Sequence, residues 1–165
     1  MAYDFRPGTP EDLPTLQTML LEAANWSGSN TDRLEHILSR PEVTVILQNW
    51  GQQRGDTAVI ADDEHGTSVG AAWYRFYTRE RHSYGFVDES TPEIAIAVES
   101  EHRGHGIGTA LLRNLIDQAV NQGIPKLSLS VDRRNPAAKL YAKLGFERID
   151  DEDREDWTMT RKVCG

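Results

Sequence analysis

The chain has 165 residues, 38% of them hydrophobic, enough for one domain with a real core and too few for two ordinary ones. Its formal net charge of -8 argues against a basic face for nucleic acid and favours a cationic small molecule or peptide as partner. A single cysteine, Cys164, excludes a disulfide framework and a cysteine-based metal site, and it suits a reducing compartment. There is no apolar run of about 18 residues, and the stretch Met1-Ala2-Tyr3-Asp4-Phe5-Arg6 lacks a signal-peptide core. The expectation is a single domain over residues 1–165, located in the cytoplasm, without a membrane partner.

Residues 3–6 read as a short strand. Thr9-Pro10-Glu11-Asp12 opens a helix, with a capping hydroxyl, proline in the first turn and acids at the positive end, and this helix runs to about Asn25. Residues 26–30 form a loop, and a second short helix spans residues 31–38. Residues 57–61 and 68–77 form a hairpin around Asp62-Asp63-Glu64-His65-Gly66. A fourth strand covers residues 94–98. From Ile107, apolar residues at 107, 111, 112, 115, 116, 119 and 120 mark a helix that ends at Gly123, with Pro125 behind it. An alternating strand follows at 127–131, then a helix at 136–144 closed by Gly145, then a hairpin of 146–149 with 157–163. The acidic run from Asp150 to Asp156 reads as a solvated turn. The crossover from Val98 through the Ile107 helix to Leu127 makes those two strands parallel within a mixed α/β (α+β) sheet of about six to seven strands, with helices on both faces.

Chemistry concentrates in Arg103-Gly104-His105-Gly106-Ile107-Gly108-Thr109, which joins an apolar strand to a helix. Three alternate glycines strip side chains from a strand-to-helix turn, so bare backbone N–H groups face whatever approaches along the helix axis, and such an end attracts phosphate. A P-loop would carry Lys-Ser or Lys-Thr after its last glycine, whereas Gly108 is followed by Thr109-Ala110. A dinucleotide fingerprint would want Gly or Ala at 109 or 111, which hold Thr109 and Leu111.

The run resembles the pyrophosphate loop of the GNAT (Gcn5-related) acetyltransferases, whose Arg/Gln-x-x-Gly-x-Gly/Ala pattern is met by Arg103, Gly106 and Gly108. Some thirty residues on, Asn135-Pro136-Ala137-Ala138-Lys139-Leu140-Tyr141-Ala142-Lys143-Leu144-Gly145-Phe146 resembles the family's second signature. The resemblance covers residues 92–146 and departs from the family pattern at Ser100, where proline is common. It implies splayed parallel central strands with acyl-CoA held between them, acetyl-CoA as cosubstrate, and N-acetyltransfer directly to a primary amine of a small molecule or peptide.

The roles then distribute as follows. Backbone N–H groups across Arg103, Gly104, His105, Gly106, Ile107, Gly108 and Thr109 would bind the pyrophosphate, and the Arg103 side chain would touch it or brace the loop. The backbone of Ile96, Ala97 and Val98 would pair with pantetheine amides, and the Val98 N–H would polarise the thioester carbonyl. By resemblance, Tyr141 protonates the departing thiolate, whose conjugate acid has a pKa of about 8.5; the plain alternative is a core tyrosine. Asn135 caps its helix, and the resemblance adds contact with the cofactor. Arg133, Arg134 and Lys139 would meet the adenosine 3′-phosphate or simply be solvated.

Strand alternation puts Glu93, Ala95 and Ala97 on one face and Ile94, Ile96 and Val98 on the other. A carboxylate beside two small residues leaves room for a ligand, so Glu93 is the candidate general base; the alternative is an exposed strand-start residue after Pro92. A base is needed because an alkyl ammonium, with a pKa of about 10.4, must lose its proton before it attacks. In the family a strand carboxylate fills this role, usually one residue further from the loop. Trp26, Trp73, Tyr74 and Phe76 are expected to line the acceptor pocket as an aromatic wall. His102 and His105 lack an evident third ligand, so no metal is expected. A non-catalytic acyl-CoA-binding or sensor module is the alternative function, and a homodimer is compatible with either.

Overall fold

The computed structural model describes residues 2–28, 33–149 and 155–163. Its seven strands form one sheet in the order β1-β2-β3-β4-β5-β7-β6: β1 (Asp4–Pro7), β2 (Thr57–Asp62), β3 (Ser68–Arg75), β4 (Glu93–Val98), β5 (Lys126–Asp132), β6 (Glu147–Arg148) and β7 (Asp156–Lys162). All neighbours are antiparallel except β4 and β5, which are parallel, as the crossover between them requires. The last hairpin does not simply append to the edge, because β7 enters between β5 and β6.

The helices are α1 (Leu13–Ala24), α2 (Leu34–Leu38), α3 (Pro41–Leu47), α4 (Ile107–Asn121) and α5 (Ala137–Lys143). α1 is preceded by a tight turn at Pro10–Asp12, where the Asp12 carboxylate accepts the Thr9 N–H at 2.8 Å. Sequence periodicity does not announce α3. Val43, Val45 and Ile46 are β-branched and form a short apolar run, but Pro41 fits a first helical position, and burial of Val43 and Leu47 against α1 and the sheet selects the helix. The expected loop at residues 26–30 and the start of the second helix at Thr31 and Asp32 lie partly outside the described residues, as do most of the acidic run and Cys164.

Two cores sandwich the sheet. On one face Leu111, Leu112, Leu115 and Ile116 of α4, with Ala138 and Tyr141 of α5, pack on Val59, Ala72, Tyr74, Ile94, Leu127 and Leu129. On the other, Leu16, Met19 and Leu20 of α1 with Ile37 and Val43 pack on Ile60, Ala71, Trp73 and Ala97. The alternation along β4 therefore holds: Ile94 faces α4, while Ala97 faces α1.

The parallel pair is barely a pair. Glu93 and Ser128 are the one register match between β4 and β5, and the Ser128 N–H donates to the Pro92 carbonyl at 3.0 Å. Beyond that point β4 stays bonded to β3 while β5 stays bonded to β7, so the sheet opens between them.

Candidate active site

The opening is a cleft of about 800 Å³ that takes in the whole of β4, residues 129–132 of β5, and the turn leading into α4. Its lining includes Ile96, Ala97, Val98, Arg103, Gly104, Gly106, Ile107, Gly108, Thr109, Asn135 and Tyr141. Glu93, Ala23, Trp26, Val43, Ser83 and Tyr84 belong to the same cavity at its other end. One continuous space thus joins a helix N-terminus to a strand carboxylate.

The glycine turn is shaped by backbone geometry. Gly104 and Gly106 have φ of 83° and 78°, in the left-handed region, and a Cβ at either position would meet nothing within 4 Å. Gly106 ends the turn, and the first intrahelical bond runs from the Ala110 N–H to the Gly106 carbonyl, so the N–H groups of Ile107, Gly108 and Thr109 have no helical acceptor. Open space in front of unspent N–H groups and the positive helix end fits a pyrophosphate.

The Arg103 side chain braces this turn: its Nε donates to the Val98 carbonyl at 3.1 Å and its Nη2 pairs with Glu22 of α1 at 3.3 Å. His102 is tied to the Tyr3 hydroxyl at 3.0 Å, and the His105 ring bonds to the His102 carbonyl at 3.0 Å and does not line the cleft. Of the basic residues Arg133, Arg134 and Lys139 at the start of α5, Arg134 is engaged by Asp132 through two contacts at 3.0 and 2.8 Å.

Asn135 caps the α5 turn, its Oδ1 accepting the Ala137 N–H at 3.0 Å, and the helix begins one residue later than the proline pattern predicts. A turn further on, Tyr141 is buried with its ring edge-on to Phe146, 6.1 Å between centroids, and it lines the cleft. It belongs to the core and to the cavity at once. Burial pushes its phenol well above the ordinary tyrosine range, so the hydroxyl keeps its proton at any working pH.

Glu93 reaches the cleft with part of its surface, yet its Oε1 is enclosed and has no partner among the described residues. Burial pushes the carboxyl up to about 8, and a hydrogen bond from the Gly85 N–H only partly opposes this. A carboxyl poised near neutrality can both accept and return a proton. The Ser128 hydroxyl, its register partner on β5, is likewise buried and unpartnered among the described residues.

The expected aromatic wall is corrected. Trp26 lines the cleft, but Trp73, Tyr74 and Phe76 do not. Trp73 is 1% exposed in the core beneath α1, Tyr74 is buried on the opposite face against α4, and Phe76 packs on that second core. Period-2 alternation sends Trp73 to one face and Tyr74 and Phe76 to the other, so they cannot form a single wall. Tyr84, 53% exposed at the cleft, and Ser83 were missed because they sit in a loop without periodic signal. Their one sequence mark is an aromatic beside Gly85.

The model of the acetyltransferase (GNAT) family matches residues 21–146. The L-methionine sulfoximine/L-methionine sulfone acetyltransferase of Pseudomonas aeruginosa is 32% identical over 151 residues, which cover 89% of this chain and 81% of that protein. The mycothiol acetyltransferase of Kocuria rhizophila is 29% identical over 102 residues, 61% of this chain, and the match spans only 32% of that longer protein. Among solved structures, PaiA N-acetyltransferase from Thermoplasma acidophilum in complex with coenzyme A has the same fold, with a TM-score of 0.66 at 21% identity over 98% of this chain and 99% of that one. The loop, the parted parallel strands and the match over most of the chain agree: this protein belongs to the acetyltransferase (GNAT) family.

Proposed function

We propose that the protein transfers the acetyl group of acetyl-CoA directly to a primary amine. The observation that carries this reading is the single cleft that joins the unspent N–H groups of α4, the Tyr141 hydroxyl face and the Glu93 carboxyl. Glu93 takes a proton from the acceptor ammonium; the free amine nitrogen attacks the thioester carbonyl carbon, a C–N bond forms and the C–S bond breaks. The sulfur leaves with the proton of the Tyr141 hydroxyl, the nitrogen, cationic after its attack, gives up its second proton to restore that phenol, and Glu93 releases its proton to solvent. Backbone N–H groups of residues 107–109 hold the pyrophosphate, and the free edge of β4 at Ile96, Ala97 and Val98 pairs with the pantetheine amides, with the Val98 N–H near the thioester oxygen.

The acceptor is a small molecule carrying a primary amine. Support comes from the Pseudomonas aeruginosa relative, whose name gives L-methionine sulfoximine and L-methionine sulfone as what it acetylates. The test is release of free coenzyme A thiol across amino acids, their analogues, polyamines, aminoglycosides and short peptides. Stimulation by a subset of amines is the expected result; thiol release unchanged by every amine would sink the reading.

A further inference from the structure

The connection between β3 and β4, residues 76–92, carries Ser83, Tyr84 and Gly85 to the acceptor end of the cleft. Ser83 and Gly85 are buried, with the exposed Tyr84 between them. A Cβ on Gly85 would stand 2.7 Å from the Leu129 carbonyl carbon, 2.8 Å from the Ser130 nitrogen and 3.0 Å from the Glu93 carboxyl carbon. The first two are backbone atoms of a strand held on its far side by the β7 ladder, so they have little room to yield. The Gly85 N–H meanwhile donates to the Glu93 carboxyl. At the segment's ends His82 stacks on Phe86, 4.4 Å between ring centroids and 15° between planes.

We propose that residues 83–86 form a wedge seated where β4 and β5 part, and that Gly85 is a positioning residue that fixes the Glu93 carboxyl by packing on it and bonding to it. The wedge walls the acceptor end behind Glu93 and keeps water off that side of the carboxyl. This rests on the reading of Glu93 as the base. The charged and titratable groups around the carboxyl are Arg75 across the β3–β4 ladder, Asp56 bound to that arginine, Tyr77 beyond the end of β3, Tyr84 in the wedge and Arg40 on the cleft wall.

The test is a titration of the Glu93 carboxyl by isotope-edited NMR in the unaltered protein and in Gly85→Ala, with Glu93→Gln assigning the signal. In Gly85→Ala the Cβ displaces the wedge. Water entry lowers the midpoint and loss of the N–H bond raises it; because burial is the larger influence, the midpoint should fall by about two pH units or more, while affinity for free coenzyme A is unchanged. An unmoved midpoint overturns the proposal. Should Gly85→Ala fail to fold, the Gly85 amide signal of the unaltered protein decides. It should move with the Glu93 titration and cease to do so in Glu93→Gln, and an amide signal flat across that range overturns the proposal. Both readouts follow the carboxyl itself, so failure of acetyl transfer in the amine panel remains a separate result.

Discussion

Arg75 and Glu93 face one another in the β3–β4 ladder, yet no ion pair joins them. The Arg75 guanidinium turns to Asp56 instead, at 2.9 and 2.8 Å, and its Nη1 donates to the carbonyls of Val45 and Gln48 at 3.0 and 2.7 Å. Fully buried, with Trp50 stacked 5.2 Å away, this arginine fastens the end of α3 to the sheet and leaves Glu93 without a neutralising partner. Asp56→Asn should therefore act twice. Breaking a buried pair costs about 3–5 kcal/mol, to be read in urea denaturation. The released guanidinium should also draw the acid limb of kcat/KM to lower pH by favouring the charged Glu93 carboxylate.

Glu93 also makes stability depend on pH. Its folded value lies above its unfolded one, so the stability it contributes is fully present below the unfolded value of 4.5 and is lost as pH rises toward about 8. Glu93→Gln, which cannot ionise, should match the unaltered protein near pH 4.5 and melt at a higher temperature than it near pH 8.5. Thermal unfolding at the two pH values checks this, and equal differences at both would remove the buried-carboxyl explanation.

Tyr141→Phe deletes the proposed proton donor and little else, because the ring keeps its place against Phe146. Turnover should drop by about 10²–10⁴-fold, as expected for loss of a positioned acid, with acetyl-CoA affinity nearly intact. Steady-state kinetics beside titration calorimetry reads the two separately. Unaltered turnover would assign the tyrosine to packing alone.

Gly106→Ala places a Cβ on a residue with φ of 78°. Space is open there, so the cost is conformational, about 1–2 kcal/mol, and it falls on the turn that presents the N–H groups of α4. The dissociation constant for coenzyme A should rise by about five- to thirtyfold. An unchanged constant would mean that the loop binds no phosphate in this conformation.

The sequence revealed those parts whose physics is local. Apolar residues at helical spacing place the start of α4 and put its end within two residues, and the glycine run marks the turn before it because no other residue adopts that backbone so cheaply. Alternation along β4 assigns Glu93 and the two alanines to one face. What stayed hidden depends on which surfaces meet. α3 looks like a strand until α1 and the sheet pack on it, and Trp73 and Tyr74 look like one patch until the sheet is covered on both sides. The wedge at Gly85 exists only because β5 passes 45 residues later in the chain, and no local pattern encodes that approach.

The single register match between Glu93 and Ser128 leaves an edge in the middle of a sheet. Exposed edges recruit strands from other molecules, and proteins usually blunt them with charge, proline or brevity. Here the unpaired rims lie recessed between α1 on one side and α4 with α5 on the other. A neighbouring sheet cannot lie flat against them, whereas one slender extended chain can be threaded in. The feature that would make another fold prone to aggregate becomes a slot selective by thickness.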